Sequence, residues 1–450
     1  MHKCSRKKTQ LYLLSVFFAF FVLSFILIHD DASTKPGDDG GRRLILKPSF
    51  PTFTTTNAST RKTKKWVVGE LPSGASDWSK ATKACAHAQS YNGRPSSRVK
   101  YHWGKESRSN ECNAFSGRWV YDNYSYPLYD ETGCPYMSDQ LACRKHGRPD
   151  RDYQKWRWQP RGCDLKRWNA IEMLEKLRGK RLMFVGDSLN RGQWISMVCL
   201  VQSVIPSGKK LMTPNSALTK FIAEEYNASI EFYWAPLIVE SNSDDPINHR
   251  LSDRIIRPDS LLRHASEWAK ADILVFNSYL WWRNGPKIKL LWSYKGGVCE
   301  EADGKEAMKL ALETWADWIE SSVNPLKHRV FFVTMSPTHL WSQEWNPGSD
   351  GNCFQEKAPI EMEGHWGNGS DLNAMQMVDE IMARLGPIVT VLNITQLSEY
   401  RKDGHPSIYR KFWETLSQQQ LANPVSYADC IHWCLPGVPD VWNELLFNFL

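Results

Sequence analysis

A chain of 450 residues, 42% of them hydrophobic, has enough apolar material for a large core in one domain or two. Its net charge of +7 is mild and spread along the chain. With neither a concentrated basic face nor a recognisable nucleic-acid module, the sequence does not describe a nucleic-acid binder.

Met1–Gln10 carries Lys3, Arg6, Lys7 and Lys8 and no acid, and an uncharged run of eighteen residues follows, Leu11–Ile28. At helical rise that run spans about 27 Å, the thickness of a thin bilayer core. It lacks the short apolar core and small-residue cleavage site of a removable signal peptide. The basic flank predicts a cytosolic tail at 1–10, a type II signal anchor at 11–28, and a luminal remainder. Residues 29–109 read as a luminal stem, partly disordered: 31–65 is rich in Thr, Ser, Pro, Gly and charge, and Trp66–Ser109 is intermediate.

Eleven cysteines fit that topology. Cys4 falls in the cytosolic tail. The other ten (Cys85, Cys112, Cys134, Cys143, Cys163, Cys199, Cys299, Cys353, Cys430 and Cys434) form an even luminal set that suits a disulfide framework, with pairing open. Acceptor sequons for N-glycosylation stand at Asn57, Asn123, Asn227, Asn368 and Asn393. Residues 110–165 are dense in Cys, Trp, Tyr, Gly and Pro with little helical periodicity. They predict a small disulfide-held lobe, with Phe115–Tyr121 and Lys155–Trp158 as short strands or irregular segments.

From 166 to 450 apolar strands alternate with helical stretches. Strands are expected at Leu182–Val185, Ile230–Trp234, Ile273–Phe276, Val330–Met335 and Val389–Leu392, and helices at Lys305–Ser322 and Asp371–Leu385. That alternation predicts an α/β fold with a parallel sheet flanked by helices. The crossover between 205 and 230 is less regular.

The chemistry concentrates at two places. The first strand breaks at Gly186-Asp187-Ser188, and a helix follows with Leu189, Trp194, Met197, Val198 and Val201 on one face. A serine between a strand's carboxyl end and a helix's first turn stands at the sheet edge, beside amides that face developing negative charge. The same residue types also suit a plain helix cap, and Asp187 reads as a turn residue. Near the other end, Asp429 precedes His432 by three residues. On one turn the carboxylate then reaches the imidazole while the other ring nitrogen stays free, the arrangement a nucleophilic serine needs. Cys430 and Cys434 flank this His; a zinc reading of the trio would need a fourth ligand, and a luminal setting favours disulfides.

Other candidates lie after the later strands. Asn277 ends one strand and suits either an oxyanion donor or a turn. Arg191, three residues after Ser188, suits either a cation for the same oxygen or a surface charge. His339, in Ser336-Pro337-Thr338-His339, lacks an acid at orienting spacing and reads as a substrate contact or a structural residue. Twenty-one Trp in the chain suggest indole faces for sugar rings, with Trp281, Trp282, Trp341 and Trp345 best placed for a groove, although most Trp residues serve cores.

GDS near the start of this region with DxxH near its end resembles the SGNH/GDSL hydrolase superfamily. The longer strings GDSLNRGQW, VFNSYLWW, MSPTH, YRKDGHPSIY and YADCIHWCLPG resemble the plant trichome-birefringence-like proteins, in particular their xylan O-acetyltransferase members. The resemblance runs from about Cys112 to the C-terminus. It implies an SGNH-like catalytic domain over 166–450 and a Ser188–His432–Asp429 triad. It also implies that Asn277 takes the place of the superfamily's oxyanion asparagine. The superfamily's second-block glycine has no secure counterpart, Gly208 being undiagnostic. The implied activity is O-acetyl transfer to O-2 or O-3 of xylan through an acetyl-serine, in the Golgi, with an acetyl donor of open identity and no bound cofactor or metal. The same triad would serve a polysaccharide acetylesterase or an acetyltransferase for another wall glycan. A non-enzymatic glycan-binding protein is the remaining class.

Overall fold

The computed structural model describes residues 112–214, 217–283, 287–292 and 299–450, together with Trp78, Ala81, Cys85 and Gln89–Ser90. The expected cytosolic tail and signal anchor, and most of the expected stem, lie outside the described residues. Among the described residues no helix is long and apolar enough to cross a membrane.

In chain order, β1 is Gln89–Ser90, β2 Asn113–Tyr121 and β3 Trp156–Arg161. Helix α1 (Ala170–Lys176) leads into β4 (Arg181–Gly186) and α2 (Ser188–Gln202). Then come β5 (Lys210–Thr213), β6 (Leu218–Ala223), β7 (Ala228–Trp234), β8 (Arg254–Ile256), α3 (Leu262–Trp268), β9 (Ile273–Phe276) and α4 (Leu280–Arg283). The remainder is β10 (Ile288–Leu291), β11 (Cys299–Ala302), α5 (Gly304–Ser322), β12 (Arg329–Val333), α6 (Leu372–Leu385), β13 (Val389–Leu392), α7 (Thr395–Glu399), α8 (Gln418–Ala422) and α9 (Val438–Phe449).

The main sheet has seven strands in the order β13-β12-β9-β4-β7-β6-β5. Its five parallel members, β13, β12, β9, β4 and β7, are the five strands expected from the apolar runs. These strands are apolar at nearly every position because both faces are covered. Leu182 and Phe184 of β4 enter one core and Met183 and Val185 the other; Phe331 and Phe332 of β12 divide the same way. Helices α2 and α9 cover the first face with Val198, Trp442 and Leu446. On the second lie α3, α5 and α6, with Trp268, Trp315 and Met382. Helix α5 begins where the Asp303 side chain accepts from the Glu306 amide, and α6 where that of Asp371 accepts from Asn373 and Ala374.

The sheet is mixed rather than purely parallel. Residues 205–230, where no clear crossover could be read, form the antiparallel strands β5 and β6 at one edge. The turn between β6 and β7 is only Glu224–Asn227, closed by Asn227 at a φ of 46°. So short a link leaves no room for the crossover a parallel neighbour needs. A second sheet, β1-β11-β10-β8, was not anticipated. Its short strands mix charge with apolar residues, as in Cys299-Glu300-Glu301-Ala302. Within the stretch expected to be stem, Ala81 and Cys85 are buried against this sheet with Ile255 and Leu291.

The small lobe is a hairpin of β2 and β3 with Trp119 opposite Trp158. Gly117 is required there, because a Cβ would collide with the Gln159 carbonyl. The lobe is no separate body, since Ala114, Leu141 and Trp158 belong to the same core as α2 and α9.

All ten cysteines after Cys4 are paired: Cys85–Cys299, Cys112–Cys163, Cys134–Cys199, Cys143–Cys434 and Cys353–Cys430. Cys112–Cys163 closes the lobe on itself, and Cys134–Cys199 fastens it to α2. Cys430 and Cys434 are not joined to each other. One holds the segment after β12 and the other the lobe, so both ends of the Asp429–His432 turn are pinned.

Candidate active site

Asp187 starts α2, its Oδ1 accepting from the Leu189 amide at 2.9 Å, and this turn projects Ser188 from the carboxyl end of β4. Gly186 admits no Cβ, which would strike the Asn277 backbone carbonyl of the adjacent strand. Asp187 is fully buried and its carboxyl is pushed up to about 6 by burial, against the opposing pull of the Leu189 amide and His432. It shapes the turn through Oδ1, and its Oδ2 has no hydrogen-bond partner among the described residues.

The turn at Asp429 brings the rest of the machinery. Ser188 Oγ lies 2.9 Å from His432 Nε2, and His432 Nδ1 lies 2.8 Å from Asp429 Oδ2. The other carboxylate oxygen of Asp429 accepts from the amides of Ile431 at 3.1 Å and His432 at 3.0 Å. Asp429 thus fixes its own turn and the imidazole together, so that Nδ1 donates to Asp429 and Nε2 accepts from Ser188. Burial works to raise the Asp429 carboxyl, but the charge of His432, its hydrogen bond and the guanidinium of Arg410 outweigh burial and hold it well below the usual carboxylate range. An aspartate that stays ionised beside an imidazole stabilises the imidazolium formed when His432 takes a proton.

A further residue was missed by sequence reasoning. Gln140, from the small lobe, is buried with its Nε2 at 3.3 and 3.4 Å from the two ring nitrogens of His432. Its Oε1 accepts from Arg191 Nη2 at 2.9 Å. The lobe therefore reaches into the site, and Arg191 is held beside His432 rather than loose on the helix surface. Nothing local in the Ser138-Asp139-Gln140 stretch marks this role; only the neighbouring Cys143, bonded to Cys434, points toward it.

The other candidates are placed differently. Asn277 is buried with its Nδ2 donating to the carbonyls of Val333 and Thr334, both at 3.1 Å, so its amide ties the end of β9 to the end of β12. His339 is fully buried, 2.6 Å from His405 through Nδ1 and 2.8 Å from the Glu399 carbonyl through Nε2. Burial lowers it to about 4, and it offers no surface to a substrate. His405 Nδ1 in turn donates to the His432 carbonyl at 2.6 Å, so His339 buttresses the Asp429–His432 turn from behind. Gly208 lies in the turn beyond the C-terminal end of α2, away from Ser188 at its start.

Of the four Trp residues, Trp282 is a core residue bonded to Ser278 Oγ at 2.8 Å. Trp281 is half-buried, edge-on to Trp234 and near His249, with the Arg254 guanidinium 4.9 Å from its ring. Trp345 packs on His339 and donates to Glu356 at 2.7 Å. Trp341 is 49% exposed, with Arg283 6.0 Å from its ring, and presents the most open indole face of the four.

A serine, a correctly oriented imidazole and an ionised aspartate at the carboxyl edge of an α/β sheet define an acyl-transfer or ester-cleaving enzyme of the SGNH type. Residues 165–449 match the GDSL/SGNH-like acyl-esterase family found in Pmr5 and Cas1p, and residues 110–164 match the PMR5 N-terminal domain. The chain is 57% identical to Protein trichome birefringence-like 35 of Arabidopsis thaliana, over 99% of each sequence. It is 53% identical to Probable xylan O-acetyltransferase 10 of Oryza sativa subsp. japonica, over 75% of this chain and 78% of that one. With Xylan O-acetyltransferase 14 of the same plant the identity is 48%, over 78% and 80%. The chain belongs to the trichome-birefringence-like branch of this acyl-esterase family.

Proposed function

We propose that the chain is a xylan O-acetyltransferase that works by double displacement on Ser188. The observation that carries the proposal is the continuous hydrogen-bonded line from Ser188 Oγ through His432 to Asp429, in a family whose named relatives include xylan O-acetyltransferases. Ser188 Oγ attacks the acetyl carbonyl of a donor while His432 Nε2 takes its proton. The tetrahedral intermediate collapses, the acetyl–donor bond breaks, and the leaving group takes the proton from His432. A xylose hydroxyl at O-2 or O-3 then attacks acetyl-Ser188, losing its proton to His432, which returns it to Ser188 Oγ as the product ester leaves. The Ser188 amide, in the first turn of α2, and the Arg191 guanidinium are the donors assigned to the oxyanion in both halves. No metal or bound cofactor enters these steps. The half-exposed Trp341 suits one stacking surface for the acceptor.

The expected setting is the Golgi lumen, with residues 11–28 as a type II anchor. Five disulfides accord with an oxidising compartment, and Asn123, Asn227 and Asn368 are exposed enough to carry glycans. The description of the family as acyl-esterases favours one competing outcome, release of acetate to water. Incubation with isotope-labelled acetyl donor and xylo-oligosaccharide separates the two. Transfer predicts label in the oligosaccharide, abolished by Ser188→Ala; label recovered only as free acetate would mark a hydrolase.

A further inference from the structure

Behind the site, Glu344, His365 and Glu399 converge from three segments: the turn after β12, the loop before α6 and the end of α7. One ligand atom from each lies within 4.8 Å of the others. Glu399 is fully buried and His365 is 6% exposed, while Glu344 is half-buried. His365 Nε2 and both carboxylate oxygens of Glu344 are buried without a hydrogen-bond partner. Glu399 receives the Gly367 amide at 2.7 Å on one oxygen and the Ser370 hydroxyl at 2.6 Å on the other, which leaves further lone pairs on each. Gly367 lies at the centre of the group, where a Cβ would collide with both carboxylates.

Such a cluster is costly as it stands, because two carboxylates and an imidazole lone pair face one another and the neighbouring amides and the Ser370 hydroxyl answer only part of their hydrogen-bonding capacity. Arg283 acts on both carboxylates but is engaged with the carbonyls of Asn368 and Gly369. Burial pushes Glu399 up to about 7 and raises Glu344, where the nearby Asn368 and Gly369 amides pull the other way, and it lowers His365. A shared proton would relieve one carboxylate and leave the His365 nitrogen unused. A cation would satisfy all three.

We propose that Glu344, His365 and Glu399 bind one divalent transition-metal cation, of which Zn²⁺ is the representative. Imidazole nitrogen and carboxylate oxygen are both zinc ligands, whereas Ca²⁺ and Mg²⁺ prefer oxygen alone. Metal–ligand bonds of about 2.0–2.2 Å in tetrahedral geometry put ligand atoms about 3.3–3.6 Å apart, so the three side chains, whose ligand atoms lie within 4.8 Å of one another, must close on the ion to complete the site. The ion would clamp the segment carrying Trp341 and Trp345 to α7. The Glu399 carbonyl accepts from His339, which bonds His405, which bonds the His432 carbonyl, so the clamp lies behind the catalytic turn without touching the triad. The proposal is independent of the acyl-transfer reading.

The test uses the full-length chain carrying no polyhistidine tag, stripped with a chelator and titrated with ZnCl₂, with retained metal counted by elemental mass spectrometry. One zinc per chain is expected in the wild type, with no comparable retention of Ca²⁺ or Mg²⁺. Affinity should fall by at least about tenfold in Glu344→Gln and in His365→Ala. Because either variant is at risk of folding poorly, crystals of the wild type soaked in ZnCl₂ supply a second readout, an anomalous peak among the three side chains. Zinc that is not retained, that binds both variants as well as wild type, or that gives its anomalous peak elsewhere would overturn the assignment.

Discussion

At the scale of single residues, the triad was legible because each member sits in a short motif whose backbone form does the positioning. Ser188 follows a strand that breaks at Gly186-Asp187, and Asp429 and His432 share one turn, so the 2.8 Å contact between them is local. What could not be read were contacts made across the fold. Asn277 matched an oxyanion position in sequence, but its amide is taken by two carbonyls of the neighbouring strand. Gln140 carried no motif at all and reaches His432 across 292 residues of chain. These two residues predict opposite behaviour. Asn277→Ala should cost stability, about 1–3 kcal/mol for leaving buried carbonyls without their donor, and should not show the 10²–10³ loss of turnover of an oxyanion donor. Gln140→Ala should remove one of the contacts that hold Arg191 and His432 and lower kcat by up to about 10²-fold with little change in melting temperature or acceptor KM. Thermal melts and steady-state kinetics on both variants distinguish the roles, and a reversed pattern would return Asn277 to the oxyanion.

At the scale of elements, five strands were readable because parallel strands covered on both faces are continuous apolar runs. The edge hairpin β5–β6 and the second sheet escaped because edge strands carry mixed polarity that resembles a loop. Helices α5 and α6 were readable as helical stretches between the strands, and the structure adds the caps at Asp303 and Asp371. The cysteine count indicated a framework but not its wiring, since pairing depends on which elements meet in space. That wiring assigns the disulfides different tasks. Cys143–Cys434 and Cys353–Cys430 bracket the Asp429–His432 turn, whereas Cys85–Cys299 ties an outlying segment to the second sheet. Replacing both Cys143 and Cys434 by Ser should lower stability by about 2–4 kcal/mol and lower kcat in the molecules that remain folded. The corresponding change at Cys85 and Cys299 should cost stability while leaving kcat near wild type. Equal kcat losses from the two pairs would contradict this division.

At the scale of the whole molecule, the lobe and the α/β domain are joined through buried ionisable groups as well as apolar contacts. Tyr129 and Tyr126 of the lobe donate to Asp440 at 3.1 Å and Glu444 at 2.7 Å on α9. Burial raises these carboxyls to about 6 and about 7, from ordinary values of 3.8 and 4.5. Their protons are held more tightly in the folded chain than in the unfolded one, so the stability they contribute is complete below about pH 4. It is lost as pH rises through 6 to 7, each tenfold difference in proton affinity between the two states being worth about 1.4 kcal/mol. Melting temperature should therefore fall between pH 5 and pH 8, and Glu444→Gln, which keeps an acceptor for Tyr126, should flatten the slope; a wild-type profile rising over that range would refute this. The central claim is chemical, and intact-protein mass after incubation with acetyl donor alone tests it most directly. The account predicts one added acetyl group, about 42 mass units, on the Ser188 peptide of the wild type when the reaction is quenched with acid, and none on that peptide in Ser188→Ala. A Ser188→Ala protein that still acetylates xylo-oligosaccharide at the wild-type rate would contradict it.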